Sequence, residues 1–199
     1  MFISRFQRVG RVELPPFEGI RVMLPIVMND IGLLPDFLSK WRGTIGKLVA
    51  LSNCKSGVGL LTIDEKLVQP GKVHHRAGLH VDENCNSGGS RGMLTVSSHV
   101  GCRAFYQPFI GYPDDDGECE HLRDQCIKGV NLQPGVVYWL DNLCVHESLP
   151  MKVPTLMQFV GLVMPTERCD RVVSKKYRVD DEDEDEVMKW RSKGILLNV

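Results

Sequence analysis

The feature that most constrains the fold is a series of short apolar runs, separated by turn residues, between residues 48 and 164. Turn signals such as Gln69-Pro70-Gly71 and Gln133-Pro134-Gly135 separate them. This spacing is typical of the strands of sandwiches, barrels and jelly rolls. No regular alternation with helical patterns occurs, which argues against a parallel α/β fold. The predicted strands are residues 48–52, 58–63, 77–82, 93–98, 103–109, 136–140 and 155–164.

Two further elements are predicted ahead of this series. Residues 21–27 are apolar and contain Pro25, which predicts a strand at a sheet edge or a bulge. Apolar residues then recur with helical spacing, with Pro35 and Asp36 in the first turn and Gly46 near the end. These apolar residues are Leu34, Phe37, Leu38, Trp41 and Ile45. We therefore expect an amphipathic N-terminal helix that supports one face of the sheet.

The length of 199 residues predicts one well-buried domain with a tail rather than two domains. We place the domain at residues 1–167 because the charge pattern changes sharply in residues 168–199. That extension contains a basic block, then seven consecutive acidic residues at 180–186, and then the signal of a short helix around Trp190. Within the domain, the long polar excursion at residues 110–134 is predicted to be a lid or recognition loop.

Charge and cysteine content restrict the partners and the compartment. The net charge is −1, and the chain without its last 32 residues holds 16 basic and 17 acidic residues. No broad basic surface is expected, which argues against a nucleic-acid partner. No run of eighteen apolar residues and no secretory signal is found, so we expect a cytoplasmic protein without a membrane partner. Seven cysteines without paired CxxC spacing predict reduced thiols and no disulfides.

One candidate site contains residues of the types that bind metal ions. His80 and Asp82 are two residues apart on a predicted strand, so their side chains share a face. If His146 reaches the same cavity, the three form a 2-His-1-carboxylate triad, which leaves half of an octahedral Fe(II) open. A lone His-x-Asp pair also occurs at ordinary polar strand ends, so His146 decides between the two interpretations. His74 and His75 are adjacent, so at most one is expected to face the cavity, and a solvated loop is predicted there.

The surroundings of His146 carry a family resemblance. A Pro-Gly turn and an aromatic strand at residues 132–142 are followed by a His-Glu-x-x-Pro segment at residues 146–150. This stretch resembles the second half of the metal site in the Fe(II)/2-oxoglutarate-dependent dioxygenase superfamily, in particular its prolyl-hydroxylase-like branch. The resemblance covers roughly residues 48–164. It implies a double-stranded β-helix, a cupin-like jelly roll, with Fe(II) held by His80, Asp82 and His146.

The resemblance also implies an activity. In the family, 2-oxoglutarate and O2 bind the iron, and oxidative decarboxylation of 2-oxoglutarate is coupled to oxidation of a C–H bond of a substrate. The substrate of this chain is expected to be a small molecule or a peptidyl group. The chain departs from the family where a basic residue normally pairs with the distal carboxylate of 2-oxoglutarate, because Leu156 stands there.

Other residues are candidates for that carboxylate. Arg103 and Arg91 follow the His-x-Asp motif, as the basic residue does in some branches of the family. Tyr106 is a possible hydroxyl partner of Arg103, and Gln158 could offer a neutral hydrogen bond. The alternative for Arg103 is an ordinary surface position on a strand.

Three functions follow from these patterns. The first is a non-haem Fe(II) dioxygenase that uses 2-oxoglutarate. The second is an iron oxygenase or cupin-type enzyme in which the substrate itself chelates iron, for which Leu156 is the motivating residue. The third is a non-catalytic jelly-roll module that binds partners through residues 110–134 and the charged tail. The third predicts that His80, Asp82 and His146 do not converge.

Overall fold

Strands dominate the part of the chain that the structure describes. This computed structural model describes residues 1–54, 56–82 and 92–164. The strands are Phe2–Ser4 (β1), Phe6–Arg11 (β2), Arg21–Val27 (β3), Val58–Val68 (β4), Leu79–His80 (β5), Met93–Ser97 (β6), Cys102–Phe105 (β7), Gln107–Phe109 (β8), Gly129–Asn131 (β9), Val136–Leu140 (β10), His146–Ser148 (β11) and Thr155–Val163 (β12). The helical elements are the α-helix Arg42–Leu51 (α1) and the 3-10 helices Ile31–Leu33, Asp36–Trp41 and Glu120–Gln125. The prediction of a mainly β chain is confirmed.

The strands form antiparallel sheets. The larger has six strands in the order β2-β10-β6-β12-β4-β3, the second has four in the order β5-β11-β7-β9, and β1 pairs with β8. The predicted strand at residues 21–27 is confirmed at the edge of the six-stranded sheet, where a proline is tolerated because one side of the strand needs no hydrogen-bond partner. The run predicted as one strand at 103–109 is instead divided between β7 and β8.

The predicted N-terminal helix is wrong in position and type. Three strands precede it, and residues 36–41 form a 3-10 helix before α1 begins at Arg42. Gly46 does not end the helix, because the chain continues as α1 to Leu51. The helical extension buries Leu48 completely, and this burial outweighs the low helix propensity of glycine.

The strand predicted at residues 48–52 is also wrong, because most of this run belongs to α1. A short apolar run fits a strand or a buried helix equally well, and packing decides between them. Ile45 and Leu48 lie three residues apart on one helix face, and both are completely buried.

The two faces of the six-stranded sheet have different surroundings. One face packs against the helical segment and forms the main hydrophobic cluster, in which Leu24, Ile63 and Leu162 meet Trp41 and Ile45. Side chains alternate along each strand, so the neighbouring residues occupy the opposite face. That opposite face lines a cavity, which is closed on its other side by residues of the four-stranded sheet.

Several predictions fall outside the described residues or concern them only in part. The charged extension at 168–199 with its short helix, as well as Arg91, Cys85 and Cys169, lie outside the described residues. The five cysteines that the structure does describe are all free thiols, as expected. Among the described residues, no helix is long and apolar enough to cross a membrane.

Candidate metal centre

The three predicted metal ligands meet at one wall of the cavity. Strand β5 pairs with β11 so that His80 lies directly opposite His146, and their ring centroids are 4.4 Å apart. Asp82 follows β5 by two residues, and its Oδ1 lies 3.4 Å from Nε2 of His146. The potential ligand atoms of the three residues all lie within 4.8 Å of one another. The structure therefore brings the His80, Asp82 and His146 side chains together.

Backbone carbonyls orient both imidazole rings. The Nδ1 atom of His80 lies 2.9 Å from the carbonyl oxygen of Gly78, and Nδ1 of His146 lies 2.9 Å from that of Cys144. An Nδ1–H group that donates to a carbonyl leaves Nε2 as the atom available to a metal. Gly78 has a φ of +82°, a conformation that favours glycine, and this turn leads the chain into β5.

The pKa values of the two histidines are shifted in opposite directions. Burial would lower the pKa of His146, but the adjacent Asp82 carboxylate outweighs burial and holds that pKa well above 6.5. Burial would raise the pKa of Asp82, but the charge and hydrogen bond of His146 lower it to about 2. Burial, together with the charge of His146, lowers the pKa of His80. Near neutral pH the metal-free site thus holds a neutral His80 and a His146–Asp82 ion pair.

Metal affinity at this site is expected to rise with pH. The raised pKa keeps a proton on His146 near neutral pH, and a metal must displace that proton to bind. While one proton is displaced per metal, the apparent association constant should rise by about tenfold per pH unit until the pKa of His146 is passed. Titrating the metal-free protein with Co²⁺ at several pH values between about 6 and about 8 measures this slope. A pH-independent affinity over that range would contradict the assignment of His146 as a ligand.

The cavity beside the triad has a volume of about 320 Å³. This lies at the lower end of the range for small-molecule sites, which are mostly apolar with a few placed polar groups. Three residues of the six-stranded sheet that line it carry hydroxyl groups: Thr62, Thr95 and Tyr138. Its apolar wall includes Met93, Leu132, Val136, Met157 and Phe159.

Arg103 is not brought to this cavity. On β7 it pairs with Glu147, whereas the neighbouring Ala104 pairs with His146. Paired residues share a face, so Arg103 lies on the face opposite to the metal ligands. There its Nη1 lies 3.4 Å from Oε1 of Glu147, and its Nε donates to Oδ1 of Asn131 at 3.2 Å. The placement corrects the expectation that Arg103 binds the cosubstrate.

Tyr106 and Gln158 do not line the cavity either. Tyr106 lies in the chain between the end of β7 and the start of β8, is 62% exposed, and packs its ring edge-on against Phe6. Gln158 is buried on the other face of β12 from Met157, where its Nε2 donates to Oε1 of Glu65 at 2.7 Å. Alternation along β12 accounts for this difference, because Met157 and Phe159 are the residues that face the cavity.

One arginine that sequence patterns missed does line the cavity. The Nε of Arg76 donates to Oε1 of Glu118 at 2.8 Å, and its Nη1 donates to the carbonyl oxygen of Asp116 at 3.1 Å. Among the described residues that line the cavity, Arg76 is the one Arg or Lys side chain. Its guanidinium is already engaged by a carboxylate, and no sequence motif marks this position.

The excursion at residues 110–134 supports the ligand strand directly. The backbone N–H of Val81 donates to the carbonyl oxygen of Gly117 at 2.9 Å, and the N–H of Cys119 donates to the carbonyl oxygen of Leu79 at 2.8 Å. The carboxylate of Glu120 accepts a hydrogen bond from the N–H of Leu79 at 3.0 Å. This part of the excursion is therefore a brace for β5, and its role as a lid or recognition loop stays a prediction.

His74 and His75 differ from their predicted place in a solvated loop. Both line the cavity, and both approach Asp64 on β4. Asp64 was not among the residues predicted from the sequence, although the charged run Asp64-Glu65-Lys66 inside a largely apolar strand is an unusual feature that marks the position.

No protein-family model and no curated protein matches this chain. The assignment of a function therefore rests on the site geometry together with the sequence motifs described above.

Proposed function

We propose that this chain is a mononuclear non-haem Fe(II) oxygenase in which His80, Asp82 and His146 hold the metal. The observation that carries the proposal is the convergence of two imidazoles and one carboxylate on the wall of a cavity, with ligand atoms within 4.8 Å of one another. Two histidines and one carboxylate with open positions are the ligand set typical of non-haem Fe(II) oxygenases.

The donor atoms fit a single metal ion. Two ligand atoms about 2.1 Å from an octahedral ion, at right angles, lie about 3.0 Å apart. The separation of 3.4 Å between Nε2 of His146 and Oδ1 of Asp82 needs only a small closure to reach that value. When bound, iron would supply the activation of O2 for the oxidation of a C–H bond.

The protein itself contributes orientation and exclusion of water. The carbonyl groups of Gly78 and Cys144 fix the two rings, so that both Nε2 atoms stay directed toward the shared centre. Met93, Met157 and Phe159 give the adjacent cavity an apolar wall, which keeps bulk water from the reacting groups.

We propose that the two larger sheets form a double-stranded β-helix, or cupin-like jelly roll. From β4 to β7 the chain passes alternately between the six-stranded and the four-stranded sheet, and it does so again from β10 to β12. The cavity lies between these two sheets, and the iron ligands lie on β5, just after it, and on β11. This alternation supports the proposal.

We propose 2-oxoglutarate as the cosubstrate, with O2 as the second reactant and a small molecule or peptidyl group as the substrate. The proposal rests on the resemblance of residues 132–150 to the 2-oxoglutarate-dependent superfamily and on the open side of the triad, which faces the cavity. A cavity of about 320 Å³ has room for such a small dicarboxylate beside the metal.

A second candidate is an iron oxygenase whose substrate chelates the metal without 2-oxoglutarate. One specific observation favours it. A distal carboxylate normally pairs with a basic side chain, and Arg76, the one Arg or Lys among the described lining residues, is held by Glu118.

Iron-dependent formation of succinate separates the two candidates. The full chain, loaded anaerobically with Fe(II) and then exposed to air with 2-oxoglutarate and ascorbate, is expected to form succinate and CO2. One oxygen atom of O2 enters succinate, and ascorbate, in place of the missing substrate, reduces the other to water. The same protein with His146→Ala is the control and should form none. If the wild type forms no succinate and shows no visible charge-transfer band with 2-oxoglutarate, the cosubstrate assignment is wrong and the second candidate stands.

A further inference from the structure

A second group of metal-ligating side chains lies beside the same cavity. Asp64 projects from β4, while His74 and His75 belong to the connection between β4 and β5. Oδ2 of Asp64 lies 3.6 Å from Nε2 of His74 and 3.7 Å from Nδ1 of His75. The potential ligand atoms of all three residues lie within 4.8 Å of one another.

His74 is the unusual member of this group. Its side chain is 1% exposed, yet neither ring nitrogen has a hydrogen-bond partner. Buried polar atoms are nearly always paired, because a buried donor or acceptor without a partner loses its hydration and gains nothing in return. The Nε2 atom of His74 is directed toward Asp64, so a cation between them would give the nitrogen the partner that it lacks.

The distances suit a small first-row cation. Two ligand atoms about 2.1 Å from a tetrahedral ion lie about 3.4 Å apart. The two separations from Asp64 to the histidines, 3.6 Å and 3.7 Å, are close to that value. Burial lowers the pKa of His74 to about 3 and the pKa of His75 to about 4, so both rings are neutral near pH 7 and have a lone pair to offer.

Two cationic side chains also contact Asp64, and they act differently. Nε of Arg21 donates to Oδ1 at 2.9 Å, which fixes the carboxylate and leaves Oδ2 toward the histidines. Nζ of Lys66 lies 3.1 Å from Oδ2 and therefore competes with a metal for that oxygen. The side chain of Lys66 is 31% exposed, so its ammonium group can turn to water when a metal enters.

We infer that Asp64, His74 and His75 form a second metal site, which takes Zn²⁺ or a similar late first-row divalent cation. Two imidazoles and one carboxylate match the three-residue ligand sets of zinc sites with an open position, whereas Mg²⁺ and Ca²⁺ prefer oxygen ligands alone. The site reaches the cavity through His75, whose side chain is 35% exposed. A bound ion would fasten the β4–β5 connection to β4 shortly before the chain enters the strand that carries His80.

Counting zinc equivalents in variants of the full chain tests this inference. Calorimetric titration of the metal-free protein with Zn²⁺ is expected to show one equivalent fewer for His75→Gln than for the wild type. His99→Gln removes an exposed histidine outside both clusters and should lose none. Lys66→Met removes the competing ammonium group and should bind the same equivalent more tightly. Circular dichroism checks that each variant is folded.

The outcomes for the two sites are distinguishable. If His75→Gln binds as many equivalents as the wild type, the second site does not exist. If His75→Gln loses one equivalent and Lys66→Met gains affinity, the second site is supported. The number of equivalents that His146→Ala loses relative to the wild type reports on the triad alone. The proposed oxygenase site and the second metal site are therefore tested separately.

Discussion

The His146→Ala variant is expected to lose one equivalent of Fe(II) while its fold is retained. His146 supplies one of three ligands, and its Nε2 lies 3.4 Å from the Asp82 carboxylate. Residues that only orient a ligand change metal affinity by about 10–100-fold, so the loss of a ligand itself should weaken binding at this site by more than about 100-fold. Anaerobic calorimetry with Fe(II) measures the lost equivalent, and circular dichroism measures the fold.

Glu147→Gln is the matched control for this prediction. Glu147 is adjacent to His146 in the chain but lies on the other face of β11, where it meets Arg103 and Arg123. The Glu147→Gln variant should still bind the equivalent of Fe(II) that His146→Ala loses. Equal Fe(II) binding by His146→Ala and the wild type would show that His146 is not a ligand.

The Trp41→Ala variant is expected to lower the free energy of unfolding by about 3–5 kcal/mol, which is typical of removing a large aromatic side chain from a core. Trp41 is completely buried where the helical segment packs on the six-stranded sheet. The sheet that carries one wall of the cavity depends on this packing. Urea denaturation of the metal-free protein measures the change.

Two further variants test the reason for this loss. Trp41→Phe should lower the free energy of unfolding clearly less than Trp41→Ala does. The indole Nε1 has no hydrogen-bond partner, so its removal leaves no polar atom unpaired. Leu33→Ala removes an exposed side chain from the neighbouring 3-10 helix and should change the free energy by no more than about 0.5 kcal/mol. A Trp41→Ala loss as small as that of Leu33→Ala would contradict the packing described above.

The strands that alternation and turn residues define could be predicted from the sequence. The run at 136–140 is recovered as β10 with the same bounds, and of the two positions that Pro25 predicted, a sheet edge or a bulge, β3 takes the sheet edge. The run at 48–52 was wrong because a short apolar segment has no period of its own, and packing against the sheet made it helical. Local pattern is thus informative where an element has a clear period and fails where tertiary burial decides.

Side-chain direction was harder to predict than the identity of the metal ligands. His80 and His146 meet because β5 and β11 pair in the register that places them opposite each other. The two motifs are compatible with this register but do not predict it. Arg103 was one candidate for the cavity, but on β7 it is Ala104 that pairs with His146, so Arg103 lies on the opposite face. A single sequence does not give the register between strands far apart in the chain, so the face of an arginine on a strand stays undetermined.

The group of Asp64, His74 and His75 was even harder to predict from the sequence. Asp64 contacts Arg21 on β3, which is 43 residues away in the chain, and also His74 in the connection that follows β4. Adjacent histidines were expected to point to opposite sides, as they would on a strand. The connection is not a strand, and both rings approach the same carboxylate.

A crystal structure of the full chain soaked anaerobically with Fe(II), with data collected on both sides of the iron absorption edge, tests the central claim most directly. The predicted result is an anomalous iron peak within about 2.0–2.2 Å of Nε2 of His80, a carboxylate oxygen of Asp82 and Nε2 of His146. A fully soaked crystal with no iron peak among these three residues would contradict the assignment of this chain as a non-haem iron oxygenase.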